Sequence, residues 1–203
     1  HAQASINLNR EIPENISFDE LVEEGKLVWN NELSKIKVTS QESEKTNEDL
    51  IKFYSSLYRT ILFPRQFHEY DLDNNQIHYS PYDGNIYDGP LYTDNGFWDT
   101  FRAVFPFYSL VYPEKLGEII QGIMVNPYLE SGWLPEWSSP GHRDCMIGSN
   151  SASIIAEAYL KGITDFDIEK AYEGILNNSE NEGPLSSVGR KGVEFYNDLG
   201  YIP

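Results

Sequence analysis

Apolar residues recur every three or four positions along much of this chain, the spacing that lines one face of an α-helix. Phe18, Leu21, Val22, Val28, Trp29, Leu33 and Ile36 form the first stripe. Ser17 precedes it and Glu20 follows three residues later, a capping-box signature, so the pattern predicts a helix from there to about Val38. Gly25 weakens it locally, and Trp29, one of many apolar residues on the stripe, reads as core packing. The next stripe is Leu50, Phe53, Tyr54, Leu57, Tyr58, Ile61 and Leu62, ended by Pro64, with Thr46 placed to cap it. Asn7 to Pro13 reads as a polar lead-in and 39–47 as a surface loop, which makes the two helices an antiparallel hairpin.

The pattern changes between Pro64 and Pro90, where tyrosines, acids, Gly84 and Gly89 replace helical spacing. Gln76 to Tyr79 is expected to pair with Asn85 to Tyr87 across a turn at Pro81 to Gly84, a small β-hairpin-like insertion over 64–90. Connections of this length in a helical domain are usually functional. Asp71, Asp73 and Asn75 resemble the start of a calcium loop, but the glycine and glutamate of an EF-hand are missing. Helical spacing resumes at Phe97, Trp98, Phe101, Val104 and Phe105, capped by Thr93 or Asp94, with Pro106 kinking or ending the helix. Pro113 then opens a helix through Leu116, Ile119, Ile120 and Ile123. A loop is expected from Asn126 to Ser149. Helices follow at Ala152 to Tyr159, closed by Gly162, and at Ile168 to Leu176, capped by Asp165; a last short one spans Val193 to Leu199. The expected fold is all-α in the main, made of paired antiparallel helices, as in a solenoid or part of an α/α toroid. No fixed-period repeat of residue identities is visible, which disfavours tetratricopeptide or ankyrin arrays.

Composition narrows the partners. The chain has 203 residues, 40% hydrophobic and 14% aromatic, enough for a folded core. Its net charge of −17 argues against nucleic acid and anionic membranes, which select basic patches. The single cysteine, Cys145, rules out an internal disulfide and, beside apolar residues, reads as buried rather than nucleophilic. No apolar run is long enough to span a membrane, and no signal peptide is visible.

The chemistry concentrates between Tyr92 and Gly148. Three of the four tryptophans lie there, Trp98, Trp133 and Trp137, with Asp99, Arg102, Glu136, His142, Arg143 and Asp144. Indole faces stack on the C–H face of a sugar ring, and charged forks bind its hydroxyls, so the cluster has the composition of a carbohydrate surface. Asp99 and Arg102, one helical turn apart, read either as a salt bridge beside a core tryptophan or as a sugar-binding carboxylate steadied by its arginine. Glu136, between Pro135 and Trp137, reads as a surface glutamate or as a general acid whose pKa is raised by apolar neighbours. His142 can protonate a leaving group, or be a loop histidine with a backbone partner. No Gly-x-Ser-x-Gly, zinc spacing or phosphate loop is present.

Tyr92-Thr93-Asp94 with Trp98-Asp99-Thr100-Phe101-Arg102, then Gly132-Trp133-Leu134-Pro135 with Trp137, then Cys145-Met146-Ile147-Gly148 and Ala158-Tyr159-Leu160-Lys161-Gly162, resemble in order the motifs of glycoside hydrolase family 92, the calcium-dependent α-mannosidases. The resemblance runs from Tyr92 to Gly162 and, more weakly, to Gly200-Tyr201-Ile202-Pro203. It implies an (α/α)6 toroid preceded by a β-sandwich domain, and inverting exo-hydrolysis of terminal α-mannosides, as on N-glycans or mannans, with Ca²⁺ at the sugar. It implies that Asp99 lies at the mannose site, with Trp98, Arg102, Trp133, Trp137, Arg143 and Asp144 around the substrate. The sequence departs from the family where many members carry Asn-Glu-Thr before the Asn-Cys-Met-Ile-Gly motif. The positions matching that acidic triplet are Gly141, His142 and Arg143, so the acid falls to His142 or to Glu136, or the leaving group is a phosphate that needs no proton.

The family's base aspartates and main calcium ligands are expected beyond Pro203. The chain is therefore expected to be the first half of a toroid, inactive alone, self-associating through open apolar faces, and completed by the remainder of its own catalytic domain. The resemblance also implies a secreted or periplasmic address. The competing readings are a non-catalytic helical domain binding carbohydrate or protein, and a toroid enzyme acting on another glycan or on a mannosyl-phosphate linkage.

Overall fold

The computed structural model describes residues 2–39 and 44–203. The chain is mainly helical with small sheets and divides into two compact units, His1–Phe63 and Pro64–Pro203.

The first unit holds helices α1 (Ala2–Glu11), α2 (Phe18–Leu33) and α3 (Glu44–Thr60). The capping box forms as expected: Ser17 N donates to Glu20 Oε2 at 2.9 Å, and Glu20 N to Ser17 Oγ at 3.3 Å. Trp29 packs at a tilt against Tyr58 with ring centroids 4.5 Å apart, and the Tyr54 hydroxyl donates to the Ile36 carbonyl at 3.1 Å. Later residues of the first arm meet earlier residues of α3, so the pair runs antiparallel. Three expectations are corrected. The polar lead-in is largely the helix α1, supported by a Gln3 to Asn7 side-chain hydrogen bond of 3.1 Å across one turn. Helix α2 stops at Leu33 rather than near Val38, because Asn30, Asn31 and Ser34 favour a terminus and Ser34 N closes on Asn30 O at 3.0 Å. Helix α3 begins at Glu44, so Thr46 lies inside it; the middle of the expected loop, residues 40–43, lies outside the described residues.

The second unit opens with short strands. Strands β2 (Glu69–Tyr70), β3 (Gln76–Tyr79) and β4 (Ile86–Asp88) form an antiparallel sheet in which Tyr79 faces Ile86, the expected hairpin with one strand added. Asp71 builds the turn into β3, its Oδ1 accepting from the Asp73 and Asn75 amides at 2.9 and 2.8 Å. Strand β1 (Arg65–Gln66) pairs with β5 (Tyr92–Thr93), and β6 (Asn95–Gly96) with β7 (Trp137–Ser138).

Around them pack α4 (Phe97–Thr100), α5 (Val104–Val111), α6 (Pro113–Ile120), α7 (Asn126–Ser131), α8 (Asn150–Leu160), α9 (Ile168–Glu180) and α10 (Val193–Leu199). Phe97, Phe105, Leu116, Ile120, Ile123 and Leu134 form a closed core. The helix expected across 97–105 breaks after one turn at Thr100. Pro106 then sits in the first turn of α5, where a missing N–H leaves no bond unmade. Pro113 opens α6 as expected. The loop expected from Asn126 begins only at Gly132, because α6 runs through a π-helical segment, Gln121–Val125, into α7. The wider π turn, with Asn126 N bonded to Gln121 O, admits Pro127 into a continuing helix. Gly132, in the left-handed region at φ 81°, ends it. Helix α9 is capped by Asp167, whose Oδ1 accepts from Lys170 N at 3.0 Å, and not by Asp165.

Candidate active site

Glu136 is the structural centre of the predicted cluster. Its backbone carbonyl accepts from Phe97 N at 3.1 Å, at the start of α4. Its carboxylate reaches the start of α8. Oε2 accepts from Asn150 N at 2.9 Å and Asn150 Nδ2 at 3.1 Å; Oε1 accepts from Ser151 Oγ at 2.6 Å and Ser151 N at 3.2 Å. A carboxylate on the unsatisfied amides at a helix N-terminus is favoured by both hydrogen bonding and the dipole. Burial pushes the Glu136 carboxyl above its usual range, and the four hydrogen bonds pull it back part of the way. The residue is 2% exposed. With both oxygens engaged by α8, Glu136 is a buried helix cap and turns no free oxygen towards a leaving group.

His142 sits in the loop after β7, bridged to Ser138. Its Nε2 lies 3.0 Å from Ser131 Oγ, and its ring packs against Tyr82 at a tilt of 57°, with centroids 4.8 Å apart. Nδ1 is buried without a hydrogen-bond partner among the described residues. Burial drives its pKa down to about 4, so the ring is neutral at ordinary pH. A neutral imidazole held this way has no spare proton at its exposed edge to give to a leaving group.

Trp98, Asp99 and Arg102 lie exposed on and just after α4. Arg102 does not pair with Asp99. Its guanidinium covers the Trp98 and Phe101 rings, at 5.0 and 4.4 Å from their centroids, and donates to the Trp98 carbonyl at 2.7 Å. The break after Thr100 removes the one-turn spacing that a salt bridge would need. Asp99 is left as an exposed carboxylate beside an indole face. Trp137 lies flat on Gly96, where an added Cβ would meet its ring at 2.2 Å, and Trp133 packs on Gly189. Both indoles remain half-exposed.

Arg143 N donates to Trp137 O at 3.2 Å, and its guanidinium holds the Ser139 carbonyl. Asp144 accepts from Ser186 N and Oγ at 2.9 and 2.6 Å, which holds its carboxyl below the usual range. Cys145, expected to be buried, is exposed. The fold therefore joins 96–102, 133–138 and 142–144 through backbone bonds and strand pairing. Asp144 is directed to the 186 loop and Glu136 into the interior.

Asp94, already part of the Tyr92-Thr93-Asp94 motif, takes a linking role, while His78, Glu130 and Ser131 escape sequence reading. Asp94 adopts a left-handed φ of 62° and clamps Arg65 through Oδ2 and Ser139 Oγ through Oδ1 at 2.8 Å, joining β1 to the loop after β7. His78 and Glu130 form a buried pair at 2.8 Å. Glu130 and Ser131 were hidden because the helix carrying them reads as loop. The signal for His78 was its place in the alternating strand β3.

Among the described residues no group of three or more His, Cys, Asp or Glu is placed to hold a metal ion. The described residues do not by themselves fit a calcium site.

The second unit is thus a mainly helical segment that carries tryptophans and carboxylates on a partly exposed surface. Residues 3–203 match the glycosyl hydrolase family 92 catalytic domain, and the chain belongs to that family. It is 48% identical, with a TM-score of 0.91, to a family GH92 inverting mannosidase of Bacteroides thetaiotaomicron, covering 100% of this chain and 27% of that one. It is 29% identical, with a TM-score of 0.80, to a family GH92 alpha-mannosidase of the same organism, covering 100% and 26%. An uncharacterized secreted glycosidase of Arthroderma benhamiae is 27% identical over 206 residues, 99% of this chain and 22% of that protein. The chain thus spans about a quarter of the length of these relatives.

Proposed function

We propose that this chain forms one wall of the sugar site of an inverting, exo-acting α-mannosidase that removes terminal mannose from glycans such as N-glycans or mannans. The observation that carries this reading is the likeness, over the whole chain, to an inverting mannosidase at 48% identity. Trp98 and the exposed faces of Trp133 and Trp137 stack on the sugar. Asp99 accepts from its hydroxyls, and Arg143 fixes the loop beside it. The catalytic base and calcium come with residues outside this chain, as do the remaining helices of an (α/α)6 toroid; the relatives' fourfold greater length supports this. A secreted or periplasmic address is proposed on the secreted relative.

The test is release of mannose by the whole protein from α-mannobiosides, with and without EDTA. Release lost in EDTA and restored by calcium is expected. No release with calcium present would refute the reading.

A second reading has its own support. Glu136 caps a helix, and His142 is a buried neutral imidazole with its pKa near 4. A linkage whose leaving group needs no proton, a mannosyl phosphate, fits these two residues better than an alkoxide does, because phosphate leaves as a stable anion. Faster turnover of a mannose-phosphate-mannose substrate than of mannobioside would favour it. Binding of mannose without turnover of either would favour a non-catalytic domain.

A further inference from the structure

Behind His142 lies a polar cluster that the sugar site does not use. His78 Nδ1 faces the Gly89 carbonyl at 2.9 Å and Nε2 faces Glu130 Oε1 at 2.8 Å. Both nitrogens meet acceptors, so His78 is an imidazolium paired with a carboxylate, with side-chain exposures of 0% and 4%. Its raised pKa agrees. Among the described residues no hydrogen bond of normal geometry meets Glu130 Oε2, the Tyr82 hydroxyl or His142 Nδ1, and the Ser138 side chain is the polar group that acts on the Tyr82 phenol. These atoms belong to one neighbourhood. Tyr82 packs at a tilt against His142, the Glu130 charge acts on the Tyr82 phenol, and Ser131, next to Glu130, bonds His142.

The proton positions follow. Ser131 Oγ spends its single proton on a carbonyl, Pro127 O at 2.6 Å. The 3.0 Å contact with His142 is therefore an Nε2–H donating to Ser131, which leaves Nδ1 as a bare acceptor. The neighbourhood thus holds two acceptors, Glu130 Oε2 and His142 Nδ1, and the Tyr82 hydroxyl as a donor, with the buried Ser138 side chain beside it. Leaving such groups buried and unpaired weighs against the fold.

We propose that one resident water molecule sits among Tyr82, Glu130 and His142, donating to Glu130 Oε2 and His142 Nδ1 and accepting from the Tyr82 hydroxyl. Water is the smallest guest with two donors and an acceptor, and three hydrogen bonds are usual for a buried one. It links the His78–Glu130 pair to His142 and fixes the imidazole in its Nε2-protonated form. His142 then belongs to a structural relay running from β3 through α7 to the loop after β7, whatever sugar the protein takes.

A crystal structure of the unaltered protein, at a resolution that shows ordered water, is expected to contain one such atom within hydrogen-bond distance of all three groups. A site without density, or an atom at metal-ligand distances, would overturn the proposal. The second measurement is the ¹⁵N resonance of His142 Nδ1. Both Tyr82→Phe and Glu130→Gln are expected to shift it, since each alters the shared water. A shift with Tyr82→Phe alone would mean a direct phenol–imidazole bond instead, and would also overturn it.

Discussion

Glu136 and His142 titrate in opposite senses, which separates their roles. The folded state holds the Glu136 carboxyl above its usual value, so its ionisation weighs against the fold as pH rises through that folded value. His142 is depressed from 6.5 to about 4, so the stability it contributes is present above pH 6.5 and is lost as pH falls from there towards 4. NMR titration is expected to show the His142 ring neutral at pH 6 and titrating near 4; a midpoint near 6.5 would contradict its burial. Glu136→Gln turns an amide donor towards the Asn150 and Ser151 donors, and is expected to cost about 1–3 kcal/mol in urea unfolding. An unchanged midpoint would mean that α8 is capped by something else. Pro135 and Trp137 beside it left Glu136 readable either as a surface glutamate or as a desolvated acid. That its partners were helix amides could not be read, because they lie 14 and 15 residues further on.

Elements whose signals are local were legible. The Ser17–Glu20 cap, the β3–β4 hairpin and the Pro113 start each rest on residues within a few positions of one another. Elements decided by packing were not. The π turn before Pro127 keeps a helix running where proline chemistry predicts its end, and α4 stops after one turn inside an unbroken apolar stripe. The β6–β7 pair depends on contact between residues some forty apart in sequence, the glycine at 96 and the indole at 137. Gly96→Ala is expected to destabilise the second unit by roughly 1–3 kcal/mol, because the new methyl must displace that ring. It should also red-shift tryptophan emission. A variant as stable as the parent, with unaltered fluorescence, would show that the ring has room to move.

On the scale of the second unit, α8 and α9 leave a groove of about 730 Å³ lined by Ala152, Ile155, Ala156, Tyr159, Ile168 and Tyr172. An apolar surface of this kind favours association. Light scattering of this chain at rising concentration is expected to show growing mass, and Ala156→Glu, on the groove's exposed face, is expected to abolish the growth. A constant monomer mass before any substitution would count against it. The family was legible from ordered motifs. The partition of the cluster into exposed and inward-facing residues was not, since both kinds share the same short loops.

The two ends of Glu136 carry a consequence for the order of folding. Its carbonyl receives the first amide of α4 and its carboxylate the first two of α8. Neither helix can be closed at its start until the 132–137 loop has docked. In pulse-labelled hydrogen exchange during refolding, the amides of Phe97, Asn150 and Ser151 should therefore gain protection together, as one kinetic event, although more than fifty residues separate the first from the last.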